Sequence, residues 1–219
     1  LMVPNLEAAK QLCSVSEEEA ELLQSHRRPI VLLRQNPTSS LAPAVAPGYD
    51  TLGIMLPYTP LHHLLLHAFS ETIQASRPTV LVMTSGNLSE EPIIVSNAEA
   101  IVGLSSIADW FLLHNRDIAV RVDDSVVRIF EGKQRVLRRS RGFAPQAIDL
   151  GTPIQQVLAF GAELKNAFCL TKDRYAILSQ HRGDLENYET LKVFEETLAH
   201  LKHLGRLDPT SAAYDLHPR

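Results

Sequence analysis

The spacing of apolar residues over the first 150 positions switches between helical and strand periods, which predicts an α/β fold. Two short helices are expected over residues 5–25, where Ser16 and Glu19 form a capping-box pattern. A further helix is expected from Thr59 to about residue 77, because the proline after Thr59 suits a first helical position.

Apolar runs of strand length lie between these helices. Residues 30–33 predict a short buried strand, and the uninterrupted run 79–83 predicts a strand that is buried on both faces. Residues 109–139 favour strands with turns, and Gly132-Lys133 is a hairpin signal. Strands crowded toward the end of this region indicate a mixed, twisted sheet with flanking helices.

A linker-like stretch after this region predicts a second domain. We expect one domain at residues 1–148, a linker at 149–156 and a second domain at 157–219. The second domain should contain strands, a long amphipathic helix and a final strand. These elements are expected at residues 157–160, 167–171, 175–180, 188–204 and 212–216.

Composition narrows the class of protein. Hydrophobic residues make up 45% of the chain and charged residues 21%, as in ordinary globular proteins. A net charge of -4 is too balanced for a general nucleic-acid coat or a membrane surface. Cys13 and Cys169 are too few for a disulfide framework. With no apolar run of about 18 residues, a cytoplasmic protein without a membrane span is expected.

The loop Thr84-Ser85-Gly86-Asn87 is the first candidate site, because it follows an expected buried strand. Ligands of open α/β sheets bind at the carboxyl ends of strands. Gly86 would let the backbone approach a ligand, and the Ser85 hydroxyl and Asn87 amide could bind phosphate or ribose. The alternative is a polar turn that these side chains stabilise.

A basic cluster around the expected hairpin is the second candidate. Guanidinium groups can clamp phosphates, although a solvated strand face is the favoured explanation of such a cluster. The cluster consists of Arg128, Lys133, Arg135, Arg138, Arg139 and Arg141. Asp123-Asp124 is either a turn or a carboxylate pair that faces these cations.

His63 and His67 lie at i, i+4 on the expected helix, a spacing that can bind a metal. The sequence offers no obvious third ligand beside them, so a helix with histidines at its edge is favoured.

Two strand ends of the second domain form the last candidate. Gly161, Lys165 and Asn166 could cradle a phosphate, and Asp184 could hold Mg²⁺ through water. The alternative is a pair of hairpin turns with helix capping by Asp184. The sequence has no Walker A, Rossmann or Gly-x-Ser-x-Gly motif, which disfavours kinases, dehydrogenases and hydrolases.

Taken together, these segments resemble the HypF family of hydrogenase-maturation carbamoyltransferases. One set resembles the family's YrdC-like domain and a second set resembles the start of its carbamoyl-transfer domain. The first set consists of residues 56–65, 82–89, 114–118, 123–128 and 137–145. The second set consists of residues 161–170 and 178–187. The resemblance implies a YrdC-like twisted mixed sheet, followed by the beginning of an actin-like ATPase (ASKHA-type) domain.

The resemblance also implies an ATP-dependent carbamoyltransferase. In this family, carbamate derived from carbamoyl phosphate is joined to ATP to give carbamoyl-adenylate and pyrophosphate. The carbamoyl group then passes to the C-terminal cysteine of HypE, for the cyanide ligands of [NiFe]-hydrogenase. ATP and Mg²⁺ are the implied cofactors, and carbamoyl phosphate and HypE are the implied partners.

Site residues follow from the same resemblance. The nucleotide would bind Thr84, Ser85, Asn87 and Arg138. The second domain's nucleotide or carbamoyl site would comprise Gly161, Lys165, Asn166, His181 and Asp184. We expect the chain to be a fragment that is inactive alone, with no metal site of its own. A transfer-domain metal and a structural zinc are expected in the remainder of the parent protein.

Two alternatives remain open. A threonylcarbamoyl-AMP synthase of tRNA modification shares the YrdC-like fold, but usually has Ser-Ala-Asn where this chain has Ser85-Gly86-Asn87, and lacks the segment 161–187. A non-catalytic module could instead bind nucleotide or RNA through the basic strand, although no aromatic ladder favours double-stranded RNA.

Overall fold

Helices form where the local capping signals predict them. In the computed structural model, the Asn5 side chain accepts a hydrogen bond from the Ala8 amide at 2.9 Å, and Ser16 and Glu19 form the predicted capping box. The Thr59 hydroxyl caps the third helix by accepting from the amide of His62. These helices are α1 (Leu6–Leu12), α2 (Glu17–Gln24) and α3 (Pro60–Thr72).

The structure describes residues 1–73, 77–89, 91–162, 166–181, 183–185 and 188–216. The chain divides into two compact units. Unit 1 consists of Leu1–Thr84 and Asp124–Gly142, and unit 2 consists of Ser85–Asp123 and the chain from Phe143 onward. The boundaries predicted for the domains of the parent protein stay a prediction.

A mixed sheet forms the centre of unit 1. β2 pairs antiparallel with β1 and β3 and parallel with β4, and β4 forms an antiparallel hairpin with β5. Glu131 and Gly132 both have positive φ at the turn of this hairpin, as a tight hairpin connection requires. The strands are β1 (Cys13–Ser14), β2 (Ile30–Gln35), β3 (Thr51–Ile54), β4 (Val126–Phe130) and β5 (Lys133–Arg138), and a 3-10 turn lies at Pro43–Val45.

The core of unit 1 lies between this sheet and its helices. Val31 and Leu33 of β2 are fully buried, as are Ile54 of β3 and Val127 of β4. The alternation of buried and less buried positions along β2 matches a strand with one face on the core. The predicted buried strand at residues 30–33 is therefore confirmed.

The strand predicted at residues 79–83 is wrong. In the described part of the chain, Leu81 forms a single isolated bridge with Met2, and Val82 is 76% exposed. The strands expected between residues 109 and 125 are also not formed, and Trp110 in that stretch is 92% exposed. An apolar run becomes a strand when neighbouring strands satisfy its backbone, and the described residues provide no such ladder here.

Unit 2 contains a second mixed sheet. Its order is β10-β7-β8-β9-β6, with β10 parallel to β7 and the remaining neighbours antiparallel. The elements are α4 (Asn97–Gly103), β6 (Ile148–Asp149), β7 (Val157–Phe160), β8 (Phe168–Lys172), β9 (Tyr175–Leu178), α5 (Tyr188–Gly205) and β10 (Ser211–Ala213). The predicted strands and long helix of this region are confirmed, with shifted ends.

The amphipathic helix α5 covers this sheet. Its buried Phe194 packs edge-on against Phe168 of β8, with ring centroids 5.1 Å apart, and Leu201 extends the same cluster. At the edge of the sheet, Asp149 of β6 forms an ion pair with Arg174 of the β8–β9 turn. Both units are therefore mixed α/β, as the sequence predicted. Among the described residues, no helix is long and apolar enough to cross a membrane.

Candidate functional site

The loop that follows Thr84 is closed by the side chain of Asn87. The Asn87 amide donates to the carbonyl of Leu88 at 2.8 Å and to that of Glu91 at 3.0 Å. The amide of Ile94 donates to the carbonyl of Gly86, which ties the following segment back to the loop. The Asn87 Oδ1 atom is buried and has no hydrogen-bond partner among the described residues. A buried acceptor without a partner is the atom on which a ligand donor would gain most.

In unit 2, the loop that carries Asn87 and the segment that follows β9 line the same small cavity. The cavity has a volume of about 160 Å³, on the order of five water molecules. Ser85 and Asn87 line it from one side, and His181 and Gly183 from another. Further polar lining comes from Glu91, Arg121, Asp123 and Gln180. Two predicted sites thus contribute to one cavity, which the sequence did not predict.

Asn166 connects Gly161, Ala162 and Gly183 through its backbone and side chain. The Asn166 amide group donates to the carbonyls of Gly161 and Ala162, and its main-chain N–H donates to Gly183 at 2.8 Å. Asn166 is 2% exposed, and its Oδ1 atom has no partner in the described part of the chain. The structure therefore brings Gly161, Asn166 and Gly183 together. Lys165 lies outside the described residues.

Asp184 is exposed, and the described residues contain no group of three or more His, Cys, Asp or Glu side chains that could hold a metal ion. His67 of α3 lies 3.6 Å from Glu71 on the helix surface, and its partner in the i, i+4 pattern, His63, is exposed. The favoured interpretation of these histidines as helix-edge residues agrees with this geometry. Mg²⁺ commonly uses one or two carboxylates together with water and phosphate oxygens. Glu91 and Asp123, which line the 160 Å³ cavity, have that chemistry.

Arg138 and the basic cluster belong to unit 1. Arg138 ends β5 opposite Val126 and is half-buried, whereas Arg128, Lys133 and Arg135 of the same hairpin are exposed. Thr84 is exposed at the end of the first segment of unit 1. The nucleotide residues predicted from sequence are thus divided, with Thr84 and Arg138 in unit 1 and Ser85 and Asn87 in unit 2. Their contacts with a nucleotide stay a prediction.

Arg141 has a structural role that the sequence, which placed it in the basic cluster, did not predict. Its Nε atom donates to Asp124 at 2.8 Å, and its two terminal nitrogens donate to the carbonyls of Arg27 and Arg28. The guanidinium also lies 3.4 Å from the centre of the Tyr58 ring. The interpretation of Asp124 as a carboxylate facing the cations therefore agrees with the structure.

Two titratable side chains lie against this ion pair. Burial, followed by the charge of Asp124, raises the pKa of the Tyr58 hydroxyl. Burial lowers the pKa of the His62 imidazole, whose ring packs edge-on against Tyr58 at 4.5 Å. Both groups are therefore biased toward their neutral forms.

The sequence did not identify Arg121 and Gln180 as candidate site residues, and it indicated Asp123 only as part of a turn or of a carboxylate pair with Asp124. Arg121 stands in a stretch of alternating charged and apolar residues, where the pattern gives no reason to single it out. Gln180 is the last residue of a predicted strand, a position at which surface glutamines are common. The folded structure is what distinguishes these residues. The side chain of Gln180 donates a hydrogen bond to the carbonyl of Arg121, about 60 positions earlier in the chain.

Comparison with known families divides the chain into two matched segments. Residues 1–140 match the Sua5/YciO/YrdC family, described as "Telomere recombination". Residues 152–219 match the HypF Kae1-like domain.

Curated relatives match across the whole chain. The "Carbamoyltransferase HypF" of Rhizobium leguminosarum bv. viciae is 44% identical over 218 residues, which is 100% of this chain and 28% of that protein. The protein of the same name from Synechocystis sp. is 46% identical over 201 residues, covering 91% of this chain and 25% of that protein. The chain thus spans about a quarter of the length of these curated relatives.

Solved structures match equally well. A full-length HypF crystallised in a phosphate- and nucleotide-bound form superposes with a TM-score of 0.89 at 45% identity, over 99% of this chain and 33% of that one. HypF from T. kodakarensis gives a TM-score of 0.90 at 41% identity, over 100% of this chain and 28% of that one. The predicted YrdC-like fold followed by the start of a transfer domain is therefore confirmed.

Proposed function

We propose that this chain, which belongs to the Sua5/YciO/YrdC family over residues 1–140 and continues as a HypF Kae1-like segment, is part of a carbamoyltransferase of hydrogenase maturation. Its substrates are carbamoyl phosphate and ATP, and its acceptor is the C-terminal cysteine of HypE. The location is cytoplasmic.

Two chemical steps make up the proposed reaction. In the first, a carbamate oxygen attacks the α-phosphorus of ATP, the bond to the β-phosphate oxygen breaks, and pyrophosphate leaves. In the second, the cysteine sulfur of HypE attacks the carbamoyl carbon and AMP leaves, while the thiol proton goes to a base or to water. The carbamate comes from hydrolysis of carbamoyl phosphate, which releases inorganic phosphate. Neither step changes an oxidation state, so carbamoyl phosphate, water, ATP, Mg²⁺ and the acceptor suffice.

The observation that carries this proposal is the shared lining of the 160 Å³ cavity. Ser85 and Asn87 come from the family-matched loop, and His181 and Gly183 come from the Kae1-like segment. The cavity is smaller than the roughly 300–1,000 Å³ of sites for drug-sized ligands. Its size suits a carbamoyl or phosphate group rather than a whole nucleotide.

Roles for individual residues follow from their chemistry. Ser85 and Asn87 would bind phosphate oxygens or the ribose, since a hydroxyl and an amide offer both donors and acceptors. Thr84 and Arg138 would contact the nucleotide, as the family resemblance implies. Asn166 would hold the Gly161 turn, and His181 would lie against the carbamoyl group.

Mg²⁺ would accompany the phosphates of ATP, with Glu91 and Asp123 close to the same cavity. Lys165 and Asp184 complete the second nucleotide or carbamoyl site, as the family resemblance implies.

The test uses the complete parent protein with Mg²⁺, ATP and carbamoyl phosphate. We expect exchange of labelled pyrophosphate into ATP that requires carbamoyl phosphate, and a mass increase of HypE equal to one carbamoyl group. Exchange that requires threonine and bicarbonate instead would support a threonylcarbamoyl-AMP synthase. Binding of RNA without any exchange would favour a non-catalytic module.

The isolated 219-residue chain is expected to complete neither step. Robust carbamoyl-phosphate-dependent exchange by the purified chain would contradict this expectation.

A further inference from the structure

Arg121 occupies a junction between neighbouring cavities of unit 2. It lines the cavity of about 160 Å³ described above, a second of about 250 Å³ and a third of about 570 Å³. Val193 of α5 is the other residue common to all of them. Arg121 and Val193 therefore lie where the three cavities adjoin.

The contacts of Arg121 reach different segments of the chain. Its Nε atom donates to the main-chain carbonyl of Ile93 at 3.0 Å, and its Nη1 atom lies 3.4 Å from the carboxylate of Glu196 on α5. Its own carbonyl accepts a hydrogen bond from the side chain of Gln180, which is buried. Arg121 thus joins the segment after the Asn87 loop, the end of the β9 region and helix α5.

These contacts differ in strength. The Glu196 side chain is 54% exposed, so its ion pair with Arg121 is long, solvated and weak. A hydrogen bond from a charged guanidinium to a main-chain carbonyl is stronger and more directional. The bond to Ile93 is therefore the contact that fixes the position of the side chain.

Ile93 and Gln180 each lie next to a side of the 160 Å³ cavity. The amide of Ile94 is bonded to the carbonyl of Gly86, so Ile93 is coupled to the loop that carries Asn87. Gln180 directly precedes His181, which lines the opposite side. Arg121 consequently links the two sides of the cavity, through its side chain to Ile93 and through its main-chain carbonyl to Gln180.

We infer that Arg121 is a positioning residue that keeps the two sides of this cavity aligned, so that the carbamoyl group passes to the acceptor rather than to water. The inference rests on the proposed function. When alignment fails, water attacks the carbamoyl carbon of carbamoyl-adenylate and the bond to the AMP oxygen breaks. The products are AMP and carbamate, and the carbamate then decomposes to carbon dioxide and ammonia.

The test compares Arg121→Met with the unsubstituted complete protein, and the readout is the amount of AMP released per carbamoyl group found on HypE. Small misplacements of reacting groups cost one to two orders of magnitude in rate, so we expect this ratio to rise about tenfold. Transfer should fall much more than carbamoyl-phosphate-dependent pyrophosphate exchange. Arg121→Lys keeps a cation with one donor group and should restore part of the coupling.

The matched control is Arg116→Met, which removes an exposed arginine from the same segment and should leave the ratio unchanged. An unchanged ratio in Arg121→Met, or equal loss of exchange and transfer, would overturn the inference. If Arg121→Met does not fold, Arg121→Lys decides, and a wild-type ratio in that variant would sink the idea. Absence of exchange in the unsubstituted protein would instead overturn the proposed function, and the inference with it.

Discussion

At the scale of single residues, Asn87 combines a structural role with a predicted ligand role. Both hydrogens of its amide are used to close its own loop, whereas its Oδ1 atom is buried without a partner among the described residues. The polar turn and the ligand site are therefore not exclusive interpretations, because the turn presents the oxygen.

Replacing Asn87 by alanine in the complete protein should weaken the first step. Loss of one polar ligand costs about 1–3 kcal/mol, or roughly 5- to 150-fold in carbamoyl-phosphate-dependent pyrophosphate exchange. The control is Asn97→Ala, which removes a side-chain hydrogen bond to the carbonyl of His114 in the same unit. Equal effects of the two substitutions on exchange would argue against a nucleotide role for Asn87.

Arg141 should contribute to stability more than any exposed arginine of the basic cluster. Its guanidinium binds a carboxylate and two carbonyls while stacking on Tyr58, and its side chain is 21% exposed. Removing it strands the partly buried Asp124, so Arg141→Ala should lower the local opening free energy by about 2–4 kcal/mol.

Arg141→Lys keeps the charge but not the planar fork, so about half of that loss is expected. Hydrogen exchange of peptides covering residues 120–142 in the complete protein would measure both effects. The control is Arg135→Ala. Because Arg135 is exposed, this substitution should change the opening free energy by at most about 0.5 kcal/mol. A similar change in Arg141→Ala and Arg135→Ala would contradict the prediction.

The sequence singled out part of the cavity lining, as polar residues of loops. Ser85, Asn87 and His181 all line it, and each stood at a strand or loop end where ligand binding is common. Arg121 could not be identified in the same way, since its importance comes from Ile93 and Glu196, which lie 28 and 75 positions away. Such separations leave no local pattern.

At the scale of elements, local signals predicted best. The capping residues Asn5, Ser16 and Thr59 bond to amides three positions ahead, so their sequence context alone determines where each helix starts. The apolar run 79–83 failed because a strand also needs partners, and Leu81 forms a single bridge in the part of the chain that the structure describes. Hydrophobicity predicts burial, but backbone pairing depends on distant residues.

Among the described glycines, Gly161 is the one at which an added Cβ would make the closest contact. A Cβ at this position would lie 2.4 Å from the carbonyl oxygen of Ala167, which cannot move without breaking the hydrogen bond between them. Gly161→Ala should therefore destabilise the β7–β8 connection by about 1–3 kcal/mol, as other overpacked sites do.

The effect should appear as faster hydrogen exchange of Asn166, whose amide is bonded to Gly183. Ala162→Ser, a change at the adjacent exposed position, is the matched control. Identical exchange in the two variants would show that the connection tolerates a side chain at Gly161.

At the scale of the whole molecule, the proposed reaction has two steps that should be separable. Gly183 lines the 160 Å³ cavity, and the next residue, Asp184, is exposed. Lys165→Ala combined with Asp184→Ala removes a cation and a carboxylate that the family resemblance assigns to the second site. If the second domain has a separate site, charges farther than about 8 Å from the first site are largely screened at physiological salt, and adenylate formation should survive.

Carbamoyl transfer should fall steeply in this double variant, and the mass shift of HypE measures that loss beside pyrophosphate exchange. The control is Asp215→Ala, which removes an exposed carboxylate elsewhere in unit 2. Equal loss of exchange and transfer in a folded double variant would indicate one site that serves both steps.

The parallel pairing of β2 with β4 also affects how the protein folds during translation. β2 ends at Gln35, β4 begins at Val126, and Arg141 bonds to a carbonyl 114 positions earlier. A ribosome that adds about 5–20 residues per second needs on the order of 5–20 s to synthesise the intervening chain. Throughout that interval one edge of β2 is open to incorrect partners. The yield of folded protein during translation is therefore expected to depend on chaperones that shield this nascent edge.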